Sequence, residues 1–120
     1  MRRSRFLALG FALVAGLLVP ALRAVAEDLT RVEPKRVCMV QDAVFPKDQI
    51  PVEVAGKTYF GCCEMCKGRL ANDPAAREAK DPVSGKTVDK ATAIIGVTPD
   101  GKAHYFESQK TFDAYAKKST

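Results

Sequence analysis

"YFGCCEMCKGRL", residues 59–70, places Cys62, Cys63 and Cys66 close together, and the chain's fourth cysteine, Cys38, lies upstream in "RVCMVQD". The stretch just before the cluster, "PVEVAGKTYF" (51–60), alternates Val52 and Val54 up to Ala55-Gly56 and turns apolar again at Tyr59-Phe60. That is the pattern of a β-hairpin. A helix is then expected from about Cys62 to Ala71, so the sulfurs fall at a hairpin-to-helix junction. Three cysteines at such a junction with a fourth upstream are disulfide staples, a redox pair or the ligands of a metal ion, and the choice among these decides the functional reading.

Downstream, "NDPAAREAKD" (72–81) reads as a helix stop followed by one helical turn opening at Pro74, a favoured first helical position. From Asp81 the order recurs. "DPVSGKTVD" is rich in turn residues, "TAIIGVTPDGKAHYF" (92–106) reads as two strands about Pro99-Asp100-Gly101, and "SQKTFDAYAKK" (108–118) reads as a helix capped by Ser108. In that helix Phe112 and Tyr115 share the apolar side. The halves align without gaps from the hairpin onward: Gly56-Lys57 on Gly101-Lys102, Tyr59-Phe60 on His104-Tyr105, Cys62 on Glu107, Cys66 on Thr111 and Leu70 on Tyr115. Allowing one residue of difference in the loop, Val37-Cys38 falls on Val83-Ser84. A supersecondary unit is used twice, and only the first copy keeps soft ligands.

The N-terminus has a different character. Arg2, Arg3 and Arg5 precede an apolar run from Phe6 to Val19, and Ala24-Val25-Ala26 supplies a small-x-small ending, the build of a secretory signal peptide over residues 1–26. The run is shorter than the roughly 20 apolar residues of a spanning helix, so no stable membrane insertion is expected after cleavage. Cleavage would leave 94 of the 120 residues, and because Arg2, Arg3, Arg5 and Arg23 leave while all 14 acidic residues stay, the formal charge of +5 would fall to +1. A nucleic-acid footprint needs a basic patch that survives processing, so nucleic acid is excluded as partner. The polar segment 27–35, "EDLTRVEPK", reads as a linker, leaving units at 36–80 and 81–120. An exported location, periplasmic or beyond, exposes thiols to oxidation unless they pair, bind metal or are kept reduced.

Elementary geometry bears on the cysteines. On a helix, Cys62 and Cys66 at i, i+4 share a face, Cys63 is within i, i+3 reach of Cys66, and Cys38 must arrive from the preceding loop or strand. Several thiolates suit a soft ion, and closing the 23-residue gap between Cys38 and Cys62 would also remove unfolded-chain entropy. Four thiolates suit tetrahedral zinc, but adjacent helical Cys62 and Cys63 diverge by about 100°. Three thiolates, Cys38, Cys62 and Cys66, suit Cu(I) better. Met39 and Met65 either add thioethers or pack. The alternatives stay open: two disulfides, Cys38 with Cys62 or Cys66 and Cys63 with the remaining cysteine, since a Cys62–Cys63 bridge would be strained, or Cys63-Glu64-Met65-Cys66 as a C-x-x-C redox motif at a helix start.

Cys38, the gap, then Cys62-x3-Cys66 and Lys67 after an aromatic-ended hairpin resemble the TRASH pattern of heavy-metal trafficking and sensing proteins. "DPVSGKTVD…GKAHYFESQKTFDAY" resembles the related YHS domain, except that Ser84, Lys86, Glu107 and Thr111 stand where that family has Cys, Met, Cys and Cys. The resemblance implies an α+β fold of small tandem treble-clef-like fingers, each a hairpin followed by a helix, and metal handling rather than catalysis. The resulting expectation is an exported, non-enzymatic metal-binding protein. It holds Cu(I), or alternatively Zn(II), on Cys38, Cys62 and Cys66, with Cys63 as auxiliary or exchange thiol, and its partner is a metal transporter or metalloenzyme. His104, the one histidine, is expected to be an ordinary strand residue, and "GKT" at 85–87 lacks the glycine spacing of a phosphate loop.

Overall fold

The computed structural model describes Gly16 and residues 29–118. The leader expected at 1–26 therefore lies, apart from Gly16, outside the described residues. Among these residues no helix is long and apolar enough to cross a membrane.

Among the described residues the fold is α+β, with two α-helices and several short antiparallel sheets. Strand β4 (Ile50–Val54) pairs with β5 (Lys57–Gly61) in the register Val52↔Tyr59 and Val54↔Lys57. The two connecting residues, Ala55 and Gly56, both have positive φ (50° and 78°), the turn whose twist matches a tight hairpin. Period-two alternation sends Val52 and Tyr59 into the core and leaves Pro51 and Glu53, on the opposite face of β4, exposed. Helix α1 (Glu64–Asn72) follows and buries Cys66 and Leu70, one helical repeat apart. Its start corrects the expectation of a helix from Cys62: Cys63 is extended (φ −156°, ψ 173°) and occupies the N-cap, so Cys62 precedes the helix and does not share a helical face with Cys66. The turn at Pro74–Arg77 forms as expected, its amide at Ala75 capped by the Asp73 carboxylate at 3.0 Å.

In the second half, β8 (Ile94–Val97) and β9 (Ala103–Phe106) form the expected hairpin, and α2 (Gln109–Lys118) begins after Ser108, whose Oγ accepts from the Thr111 amide at 3.4 Å. Phe112 and Tyr115 both meet Phe106 edge to face, with ring centroids 5.4 and 5.5 Å away. Two further pairings were not legible. Strand β1 (Thr30–Val32) lies antiparallel on β8, with Arg31 opposite Gly96, so the segment read as a linker is in part a sheet strand. A Cβ on Gly96 would sit 2.7 Å from Leu29 and 2.8 Å from Phe112, which is why glycine stands where residue 29 and α2 converge on β8. Strands β6 (Glu78–Lys80) and β7 (Thr87–Asp89) pair across the junction of the halves.

The core belongs to both halves. Val37, Met39, Val52, Tyr59, Leu70 and Ala76 from the first pack in one cluster with Ile95, Val97, Ala103 and Tyr105 from the second. The division at residue 80 is thus one of pattern, not of separate hydrophobic cores.

Candidate metal centre

Cys38 ends β2 (Val37–Cys38), which pairs with β3 (Ala43–Val44) through a tight turn over residues 39–42. The turn is closed by the Asp42 amide donating to the Cys38 carbonyl at 2.8 Å, and Asp42 takes a left-handed φ of 52°. The Met39 amide donates to the Phe60 carbonyl at 2.8 Å, fastening this turn to the end of the hairpin. Cys62 leaves that same hairpin end, and Cys66 lies in the first turn of α1. The Sγ atoms of Cys38, Cys62 and Cys66 all lie within 4.8 Å of one another, with Cys62 and Cys66 3.5 Å apart.

Gly61 makes the convergence possible. A Cβ there would stand 3.0 Å from Cys66 Cβ and 3.2 Å from the Lys67 nitrogen, against helix backbone that cannot give way. Cys38 is fully buried and Cys66 nearly so, while Cys62 is half-buried. Cys63 is exposed and meets the triad at Cys66, sulfur to sulfur at 3.6 Å. None of the four cysteines is in a disulfide.

The environments separate chemically similar thiols. Burial opposes ionisation of Cys38, but the amides of Gln41 and Val40 donate to its sulfur and outweigh burial, holding the thiol below its ordinary value. Burial pushes Cys62 up to about 12, helped by hydrogen bonds with Cys38 and Cys66 that favour the neutral thiol. Cys66 is raised chiefly by burial as well. Cys63, at the N-cap, is lowered by the Cys66 amide and thiol, as a helix N-terminus does. Gln41 Nε2 donates to Cys62 Sγ at 3.4 Å, a contact that nothing in the sequence signals.

The methionines divide. Met39 is fully buried in the core, whereas Met65 is 83% exposed beside Cys63. Among the described residues, His104 stands apart from the cysteines, within 3.4 Å of the Thr98 hydroxyl and stacked 5.5 Å from Tyr115. The donor set is therefore three sulfurs with no imidazole or carboxylate among them, a set suited to holding a metal ion.

The second half closes the corresponding place without sulfur. Ser84 and Glu107, which align with Cys38 and Cys62, are tied together by the carboxylate of Asp81. Its oxygens accept from the amides of Val83 (2.7 Å), Ser84 (3.1 Å) and Glu107 (2.9 Å), while the hydroxyl of Thr111, which aligns with Cys66, donates to the Ser108 carbonyl at 3.1 Å. Asp81 is 1% exposed. Burial disfavours its charge, yet these donors prevail and hold the carboxyl below its usual range. A buried carboxylate cross-links this half where three thiols converge in the other.

No family model, curated protein or solved structure matches the chain.

Proposed function

We propose that this protein is an exported heavy-metal carrier or buffer of the TRASH and YHS type, built as tandem treble-clef-like fingers of which only the first binds an ion. The reading rests on one observation above the others: three sulfurs from three separate pieces of chain converge within 4.8 Å. Three thiolates without a fourth protein ligand suit Cu(I), with Zn(II) as the alternative if Cys63 or an outside ligand completes four-coordination. The role follows from the donors and the leader rather than from any catalytic group: the ion is held, buffered or delivered to a transporter or metalloenzyme outside the cytoplasm. Exposed Cys63, 3.6 Å from Cys66, and exposed Met65 present soft donors where an ion would enter or leave.

A second reading is favoured by that same 3.6 Å contact. Cys63 and Cys66 form a C-x-x-C pair whose outer thiol is lowered and whose inner thiol is raised, the arrangement of a thiol redox couple. One experiment separates the two. Protein expressed with its own leader and purified anaerobically is loaded with Cu(I) or Zn(II), then weighed by native mass spectrometry beside Cys66→Ser and Cys63→Ser. The carrier reading expects one retained ion, lost in Cys66→Ser and kept in Cys63→Ser. A redox protein would retain no ion and would interconvert between free thiols and one disulfide of Cys63 with Cys66.

A further inference from the structure

We propose that the C-terminal half sets the strength of the metal site by holding the Cys38 turn, through Lys90 and Tyr105 as positioning residues. This rests on the reading of the cysteine triad as a metal centre. The turn over residues 39–42 is what aims the amides of Val40 and Gln41 at the Cys38 sulfur and the Gln41 side chain at Cys62. Left to itself, such a turn has little reason to keep its shape, because Asp42 is a non-glycine residue in the left-handed region.

Beyond its own closing bond and the Met39 amide on the Phe60 carbonyl, its restraints come from the other half of the chain. Lys90 is 5% exposed, and its Nζ donates to the Met39 carbonyl at 2.6 Å and to Asp42 Oδ1 at 3.0 Å. The Tyr105 hydroxyl donates to the same Oδ1 at 2.8 Å, and the Lys90 ammonium lies 5.1 Å from the Tyr105 ring centroid. Two backbone bonds complete the grip, from the Ala103 amide to the Asp42 carbonyl at 2.8 Å and from the Val44 amide to the Gly101 carbonyl at 3.1 Å.

A buried ammonium with no second carboxylate beside it is costly to place merely for stability. Here both of its bonds go to the turn that carries a ligand. Partners outside the ligand set that fix a ligand's orientation are worth about 10–100-fold in metal affinity. The half that lacks cysteines thus supplies the outer support for the half that has them.

The test compares two hydroxyl deletions of the same kind. Tyr105→Phe removes the bond to Asp42. Tyr59→Phe removes an equivalent bond, from Tyr59 to Asp89 at 2.8 Å, which lies off the Cys38 turn. Cu(I) affinity is measured by competition with a chromogenic chelator, alongside Lys90→Met and its charge-preserving counterpart Lys90→Arg. The proposal expects Tyr105→Phe to weaken Cu(I) by about tenfold, Lys90→Met by more, Lys90→Arg to recover part of the loss, and Tyr59→Phe to match wild type.

Equal losses in both tyrosine variants, or none in Tyr105→Phe, would overturn it. A metal-free readout stands beside this one: alkylation of Cys38 in the folded apo protein is expected to quicken in Tyr105→Phe and not in Tyr59→Phe. If wild type binds no ion, the carrier reading falls, and the alkylation rates alone decide whether these residues hold the turn.

Discussion

Four cysteines that look alike in the sequence become three kinds of thiol once folded. Cys38 sits beneath amides that favour its thiolate, Cys62 and Cys66 are kept protonated chiefly by burial, and Cys63 faces solvent. A metal must displace the protons of the raised pair, so loading at neutral pH is expected to release at least the two protons of Cys62 and Cys66. Apparent affinity should rise with pH throughout the range below about 12, where Cys62 would otherwise stay a thiol. Calorimetry of Cu(I) or Zn(II) binding in buffers of different ionisation enthalpy measures the count. Release of no protons would mean that Cys62 and Cys66 are not ligands. Residue type and spacing made the triad legible, since soft donors stand out in a short chain. The supporting residues were not: Gln41, Asp42 and Lys90 carry no local mark, because their partners lie 21, 63 and 51 positions away.

At the scale of elements, the hairpin-then-helix order could be read twice because alternation and turn residues are local signals. Boundaries were harder. The helix was expected to swallow Cys62, but extended backbone at Cys63 delays it to Glu64 and frees Cys62 to approach Cys38 from the hairpin end. Strands β1, β6 and β7 escaped notice because each is three residues long and is defined by a distant partner rather than by its own pattern. Asp81 shows what holds the second hairpin and helix together in place of sulfur. Asp81→Asn keeps the volume but loses the charge and turns a donor toward amides that need an acceptor. A loss of about 2–3 kcal/mol is expected, from hydrogen bonds to a charged group, read as a lower thermal midpoint at neutral pH. The sign with pH follows from the lowered carboxyl. Its contribution is present above the unfolded value of about 4 and disappears as pH falls through the folded one. Wild type and Asp81→Asn should therefore converge in acid; equal stability at pH 7 would contradict the role assigned to Asp81.

Across the whole molecule, two halves that look like independent copies in sequence are joined by one core, by β1 lying on β8 and by β6 pairing with β7. Sequence pattern could not reveal the two strand pairings, since β1, β6 and β7 are each too short to show a pattern of their own. The arrangement has a physical logic for a small chain, where a modest core commonly leans on a metal or on disulfides. In one half the cross-link is a triad suited to an ion; in the other it is a buried carboxylate. The central claim is that the ion sits among sulfurs from Cys38, Cys62 and Cys66. X-ray absorption at the copper edge of the Cu(I)-loaded protein tests it most directly, with Cys38→Ser in parallel. The account predicts a coordination sphere of three sulfurs and no nitrogen or oxygen, falling to two sulfurs or to loss of the ion in the variant. Nitrogen or oxygen ligands in the wild type, or a spectrum unchanged by Cys38→Ser, would contradict it.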